Sequence, residues 1–214
     1  MENIGLGEMQ VQIFLMMANI VNYEKMKKVI FKTPEAAAYA LAEQMVNISY
    51  GRKIIHVALS GGSTPKLLFK ILANTYKNHD WSRVHFYWGD ERCVGPDNSE
   101  SNYAMAKKLF FEPVNISNDC FFRVIGENDP KQEAQRYGDL LFNLLPIVND
   151  LPCFDLIYLG MGEDGHTASI FPHEMELMTL QKVCAVATHP ISDQKRVTLT
   201  GPILNNARSI AFII

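Results

Sequence analysis

Three times along this chain an apolar run ends directly in a short polar turn. Residues 54–59 read Ile-Ile-His-Val-Ala-Leu and are followed at once by Ser60-Gly61-Gly62-Ser63-Thr64-Pro65. Residues 84–88, Val-His-Phe-Tyr-Trp, lead into Gly89-Asp90-Glu91-Arg92, and residues 154–159, Phe-Asp-Leu-Ile-Tyr-Leu, into Gly160-Met161-Gly162-Glu163-Asp164-Gly165-His166. Short, nearly continuous apolar runs suit strands buried on both faces, as in a parallel sheet covered by helices. Helical patterns lie between them. Thr33-Pro34-Glu35 opens one, with Thr33 as the cap and Pro34 at the first helical position, and alanine-rich residues 36–46 continue it. Residues 66–74, 101–111 and 131–145 read as further helices, the last ended near Pro146. Residues 29–31, 183–187, 197–200 and 209–214 read as strands, with a short one over 121–124. The predicted fold is a single-domain α/β structure, a mostly parallel sheet flanked by helices. Ligands of such sheets bind beyond the carboxyl ends of the strands, so the three turns are expected to converge.

Composition narrows the partners. The 214 residues, 48% of them apolar, suffice for one sizeable core. Twenty basic residues against twenty-three acidic ones give a formal net charge of -3, which suggests neither a nucleic-acid nor a membrane surface. A local cluster can still bind an anion. Cys93, Cys120, Cys153 and Cys184 form no C-x-x-C pair and no zinc-ligand spacing, and read as free thiols of a reducing cytosol. Residues 9–21 are largely apolar but too short to span a bilayer and lack a basic start, so they read as neither a membrane span nor a secretory signal. The domain is expected over 26–214, its first strand at Met26-Lys27-Lys28-Val29-Ile30-Phe31, with 1–25 an extension for which an ordered helix is one reading.

Each turn carries a chemistry. In Ser60-Gly61-Gly62-Ser63-Thr64 the glycines let the backbone approach an anion, and the following helix offers unpaired N–H groups and the positive end of its dipole. It is neither a Walker loop nor G-x-G-x-x-G. Asp90 and Arg92 can place a carboxylate and a guanidinium in one cleft, Arg92 gripping a phosphate in bidentate fashion; Asp90 and Glu91 would equally suit capping of the next element. The third turn delivers His166 from a glycine-rich loop with Asp164 two residues earlier, a general base and its orienting carboxylate. Lys195-Arg196, before a late strand, offers two further cations. His56 and His85 lie inside strands and read as structural. His79 and His189 sit in loops, and His173 is the rival to His166. No G-x-S-x-G elbow and no H-E-x-x-H spacing occurs.

Taken together, residues 60–65, 88–92 with Ser101-Asn102, 159–172, and 196–200 with Pro202 and Ala207 resemble the 6-phosphogluconolactonase family, in the family's order and over most of the chain from about Lys28. The resemblance implies a Rossmann-like α/β fold related to sugar-phosphate isomerases and deaminases, and hydrolysis of a phosphosugar lactone in the cytoplasmic oxidative pentose phosphate pathway. It implies the 6-phosphate on Ser60, Gly61, Gly62, Ser63 and Thr64, held also by Arg92 and by Arg196 or Lys195, with His166 and Asp164 as the catalytic pair. No metal or organic cofactor is expected, and a monomer or weak homo-oligomer. Two alternatives stand beside it. Glucosamine-6-phosphate deaminases usually read Ile-Ala-Phe-Asn-Glu-Pro after their Asp-Gly-His, where this chain has Thr167-Ala168-Ser169-Ile170-Phe171-Pro172, so Phe171 replaces their acid. Their Asp-Glu-Tyr is Asp90-Glu91-Arg92 here. A sugar-phosphate-binding regulator would carry a basic helix-turn-helix, which the sequence lacks. Family chains continue past the last strand with a glycine and lysine segment and a final helix. This sequence stops at Ile214, either lacking that segment or as a short form.

Overall fold

In the computed structural model, residues 11–17, 26–51 and 54–214 are described. The elements are β1 (Val11–Met17), β2 (Met26–Phe31), α1 (Pro34–Ser49), β3 (Ile55–Leu59), α2 (Ser63–Thr75), β4 (Val84–Trp88), β5 (Asp90–Arg92), α3 (Asn102–Ala106), α4 (Glu112–Val114), α5 (Pro130–Leu144), β6 (Ile147–Val148), β7 (Leu151–Pro152), β8 (Leu156–Gly160), β9 (Cys184–Thr188), β10 (Lys195–Leu199), α6 (Gly201–Asn205) and β11 (Ser209–Ile213). The caps follow the sequence. Thr33 accepts the Ala36 N–H at 3.2 Å, and Asp129 accepts those of Lys131 and Gln132 at 3.1 and 3.0 Å, each ahead of a proline at the first helical position.

Six strands form the main sheet in the order β2-β1-β11-β8-β3-β4. The pairings β11–β8, β8–β3 and β3–β4 are parallel, and β1 runs antiparallel to both neighbours. Side chains alternate between two cores, as strand geometry demands. Val57, Leu59, Phe86, Trp88, Leu156 and Tyr158 meet α1 and α2 on one face. Ala58, Tyr87, Ile157 and Leu159 meet α5 and the second sheet on the other. A strand buried on both faces needs no polar side, which is why these runs read as continuous apolar stretches.

Four expectations are corrected. Residues 183–187 and 197–200 do not join the parallel sheet. As β9 and β10 they form an antiparallel three-stranded sheet with β5, in the order β5-β10-β9. Gly89 is the crossing point: its N–H bonds Leu59 O at 2.9 Å in the first sheet, and its carbonyl takes the Leu199 N–H at 2.9 Å in the second. Residues 121–124 make only a single bridge, Phe121 to Phe86. The helix over 101–111 is broken into α3, a π-helical turn over Lys107–Phe111 and then α4, where Pro113 has no N–H to continue the ladder. The reading of an ordered helix in 1–25 gives way, over residues 11–17, to β1, whose backbone is paired on both sides (Ile13 with Ile213 and with Val29). The flanking residues 1–10 and 18–25 lie outside the described residues.

At the end of the sheet far from the three turns, His56 is buried between Tyr87 and His85. Its Nδ1 lies 3.1 Å from the Tyr87 hydroxyl, and its ring is 5.6 Å from that of His85. Burial pulls its pKa down to about 4, with His85 adding to the shift and Asp155 opposing it. A histidine that stays neutral when folded takes up its proton more readily when unfolded. The unfolded state is therefore favoured as pH falls from 6.5 towards about 4. The melting temperature is expected to drop across that window, and less steeply in His56→Gln. Melts at pH 7 and pH 4.5 check this, and equal slopes in the two proteins would remove His56 as the cause.

Candidate active site

The turn after β3 is built around glycine for two different reasons. A Cβ on Gly61 would lie 1.9 Å from Asn102 Oδ1, so any side chain here would have to displace the Asn102 amide. Gly62 has φ +110°, and as the residue before α2 it gives that helix no side-chain cap. The first amides of a thirteen-residue helix are left for something else to accept.

The turn after β4 sends alternate side chains to opposite sides. Asp90 is buried and accepts the Ser169 hydroxyl at 2.7 Å. Glu91 turns the other way and is 2% exposed. It accepts the N–H groups of Arg92, Asn102 and Tyr103 at 2.7–2.8 Å and the Ser101 hydroxyl at 3.0 Å. Burial pushes its pKa up against the pull of those three amides. Glu91 thus joins the Ser101 cap at the start of α3 by accepting its first amides, and of the two acids Asp90 alone faces the cleft. Glu91→Ala would strand these donors in the interior, and a loss of about 2–4 kcal/mol in unfolding free energy is expected from denaturant titration. A loss below about 0.5 kcal/mol would contradict the capping role.

The turn after β8 closes through Gly162 N–H to His166 O at 2.8 Å and Gly165 N–H to Gly162 O at 2.9 Å, with Gly165 at φ +84°. A Cβ on Gly162 would meet His166 Cε1 at 2.2 Å, so this glycine makes the room the imidazole occupies. Asp164 Oδ1 lies 2.5 Å from His166 Nδ1 and also accepts the His166 backbone N–H at 3.2 Å. The bond from His166 holds the Asp164 carboxyl below the usual carboxylate range. An ionised Asp164 requires the proton on Nδ1. Nε2 then presents its lone pair and has no partner among the described residues.

Arg196 and Arg92 are cross-strand partners on β10 and β5. Neither pairs with a carboxylate among the described residues. Arg92 Nη1 donates to Glu100 O at 2.6 Å, Arg196 Nη1 lies 3.5 Å from Ser169 Oγ, and the Nε of each is buried without a partner. The Arg196 guanidinium lies 5.5 Å from the centroid of the buried Phe171 ring. Its pKa is lowered by burial and then by Arg92, against the opposing pull of Asp90, Glu100 and Glu91, none of which forms an ion pair with it.

The three turns and β10 meet around one cleft of about 190 Å³. Of the sequence-predicted residues, Ser60, Gly61, Gly62, Asp90, Arg92, His166 and Arg196 line it. Ser63 and Thr64 head α2 just behind the wall, and Asp164 stands behind His166. Lys195 is corrected: strand alternation turns it outward, where its Nζ donates to Thr188 Oγ1 at 2.8 Å. His173 stacks on the far side of Phe171 with ring centroids 5.8 Å apart and does not line the cleft. Asn102, Met161 and Ala168 do line it, although the sequence assigned them no role in the site. Asn102, directly after a serine cap, carried the one local signal. Among the described residues no cluster of His, Cys, Asp or Glu could hold a metal ion, and no helix is long and apolar enough to cross a membrane. All four cysteines are free.

Comparison with known proteins agrees with this architecture. Residues 32–214 match the family described as glucosamine-6-phosphate isomerases/6-phosphogluconolactonase. The 6-phosphogluconolactonase of Treponema pallidum is 45% identical over 190 residues, covering 88% of this chain and 79% of that protein. That of Haemophilus influenzae is 39% identical over 191 residues, covering 88% and 80%. The solved structure of 6-phosphogluconolactonase from Trypanosoma brucei superposes with a TM-score of 0.74 at 30% identity, covering 82% of this chain and 76% of that one. A cleft of this construction, on a chain matched over nearly its whole described length, places the protein in the glucosamine-6-phosphate isomerase/6-phosphogluconolactonase family.

Proposed function

We propose that this protein hydrolyses 6-phospho-D-glucono-1,5-lactone to 6-phosphogluconate, in the cytoplasm and as a step of the oxidative pentose phosphate pathway, acting as a monomer or weak homo-oligomer. One observation carries the reading. A histidine with Nδ1 tied to a carboxylate and Nε2 free shares a small cleft with two adjacent guanidiniums that form no ion pair among the described residues. Two such charges side by side are costly until an anion arrives, and the 6-phosphate is that anion. The Gly61-Gly62 turn and the amides heading α2 receive its remaining oxygens. Anchored there, the lactone places its carbonyl near His166. Nε2 takes a proton from water as the water oxygen bonds the carbonyl carbon and the π electrons move to the carbonyl oxygen. Collapse breaks the bond to the ring oxygen, which takes the proton back from His166. Asp164 keeps the imidazole in the required tautomer and balances its transient charge. Positioning plus one base suffices for an ester already activated by its ring.

The deaminase reading needs a proton-transferring acid at position 171. Phe171 is fully buried there, 4.7 Å from the His166 ring, and can move no proton. The test runs three substrates side by side: the phosphorylated lactone, the same lactone without phosphate, and glucosamine 6-phosphate. Turnover of the first is expected, with kcat/KM lower by about 100-fold or more on the second and no ammonia from the third. Ammonia release without lactone hydrolysis would hand the cleft to deamination.

A further inference from the structure

The turn that carries His166 contains a second unusual residue. Ala168 lines the same cleft and has φ +49°, in the left-handed region that a residue with a Cβ rarely enters. Its surroundings hold it there from both sides. Thr167 Oγ1 donates to Gly160 O at 3.0 Å, and the Ile170 N–H bonds Thr167 O at 2.9 Å. On the other side, the Ser169 N–H reaches Thr198 Oγ1 at 3.2 Å and the Ser169 hydroxyl reaches Asp90 at 2.7 Å. Strain that survives only because neighbours over-determine it is a cost the fold carries for a purpose. On either side of Ala168 the Thr167 carbonyl and the Ser169 N–H are both bonded. The Ala168 N–H itself donates to nothing among the described residues, although the residue is 9% exposed. A buried, unclaimed amide in a cleft lined by the base is poised for a ligand atom.

We infer that the Ala168 N–H is the oxyanion donor for the hydrolysis proposed above, and the inference rests on that reading. As water bonds the carbonyl carbon, the carbonyl oxygen gains the displaced electron pair and becomes an alkoxide. The Ala168 amide donates to it until the ring oxygen leaves and the carboxylate forms. Arg92 and Arg196 remain with the phosphate. The arrangement explains why a non-glycine residue sits at φ +49°. A right-handed turn at this position would carry the 167–168 peptide, and with it the N–H, to another orientation.

Replacement of Ala168 by its α-hydroxy analogue (lactic acid, introduced by nonsense suppression) turns the amide into an ester, which deletes the N–H and weakens the Thr167 carbonyl as acceptor of the Ile170 N–H. The expected result is a fall in kcat of about 100-fold with KM within about two-fold and only a small fall in melting temperature, because the deleted N–H holds no folded-state bond. The matching ester at Ile170 deletes the N–H that Thr167 O accepts and keeps the Ala168 N–H, so its kcat is expected to stay within a few-fold of the parent. Full kcat in the Ala168 ester variant would overturn the inference, as would an equal loss in the Ile170 ester, which would make the turn's conformation rather than the N–H responsible. If the Ala168 ester variant does not fold, the amide resonance of Ala168 in the unsubstituted protein decides. It is expected to move downfield on binding 6-phosphogluconate, whose carboxylate can accept the bond, and no movement at saturation would overturn the assignment. Parent protein that fails to accelerate lactone opening would overturn the function itself. A fully active parent with an indifferent Ala168 ester variant would overturn the oxyanion role alone.

Discussion

His166→Ala is expected to lower kcat for lactone hydrolysis by about 10²–10⁴-fold while leaving KM and the melting temperature near those of the parent. The geometry separates these quantities. The imidazole makes its one strong side-chain bond to Asp164, which is 42% exposed, so its removal costs the fold little. The phosphate contacts lie on other elements, so affinity is kept. The rate falls because no other unpartnered base lines the cleft, Asp90 being engaged by the Ser169 hydroxyl. The bond to His166 keeps Asp164 ionised further into acid, so the carboxylate that orients the imidazole is retained. A variant that retains full turnover would show that the base lies elsewhere.

Arg196→Met is expected to act in the opposite sense, raising KM by about 30-fold or more with a smaller change in kcat. Methionine keeps an apolar stem against Phe171 and removes the charge. Arg196 is 8% exposed, lies beside Arg92 across the β5–β10 pair, and has its Nε unpartnered. The free protein therefore holds a charge that burial and Arg92 disfavour, that Asp90, Glu100 and Glu91 offset only in part, and that a bound anion relieves further. The melting temperature of the ligand-free variant is expected to equal or exceed that of the parent, and inorganic phosphate is expected to raise the parent's melting temperature more than the variant's. Calorimetry with and without phosphate, alongside steady-state kinetics, checks both halves. An unchanged KM would remove Arg196 from the phosphate site. A strongly destabilised free variant would mean that the guanidinium holds the fold rather than the ligand.

The three strand-end turns were readable because each joins an apolar run to residues whose conformational or chemical demands are strong. Their convergence followed from the rule for parallel sheets. What stayed hidden depends on strand phase and partner. Lys195 and Arg196 are neighbours of equal charge, and only the register of β10 against β5 says which faces the cleft. Asp90 and Glu91 pose the same problem, and their opposite fates (one in the site, one capping α3) follow from a single alternation. β9 and β10 have the composition of strands, but no local pattern says which sheet they join. β1 gave no helical or strand signature that could win on its own, and its pairing with β2 and β11 decides it. Ala168 carries no sequence sign of a left-handed backbone, because its conformation is imposed by bonds to residues 160, 90 and 198.

Freshly generated 6-phosphogluconolactone is mixed with the purified protein, and 6-phosphogluconate is followed through 6-phosphogluconate dehydrogenase, with the spontaneous opening in buffer subtracted. The cleft described above predicts saturable acceleration, proportional to protein and competed by inorganic phosphate at the two arginines. A rate equal to that of buffer at every protein concentration would contradict it.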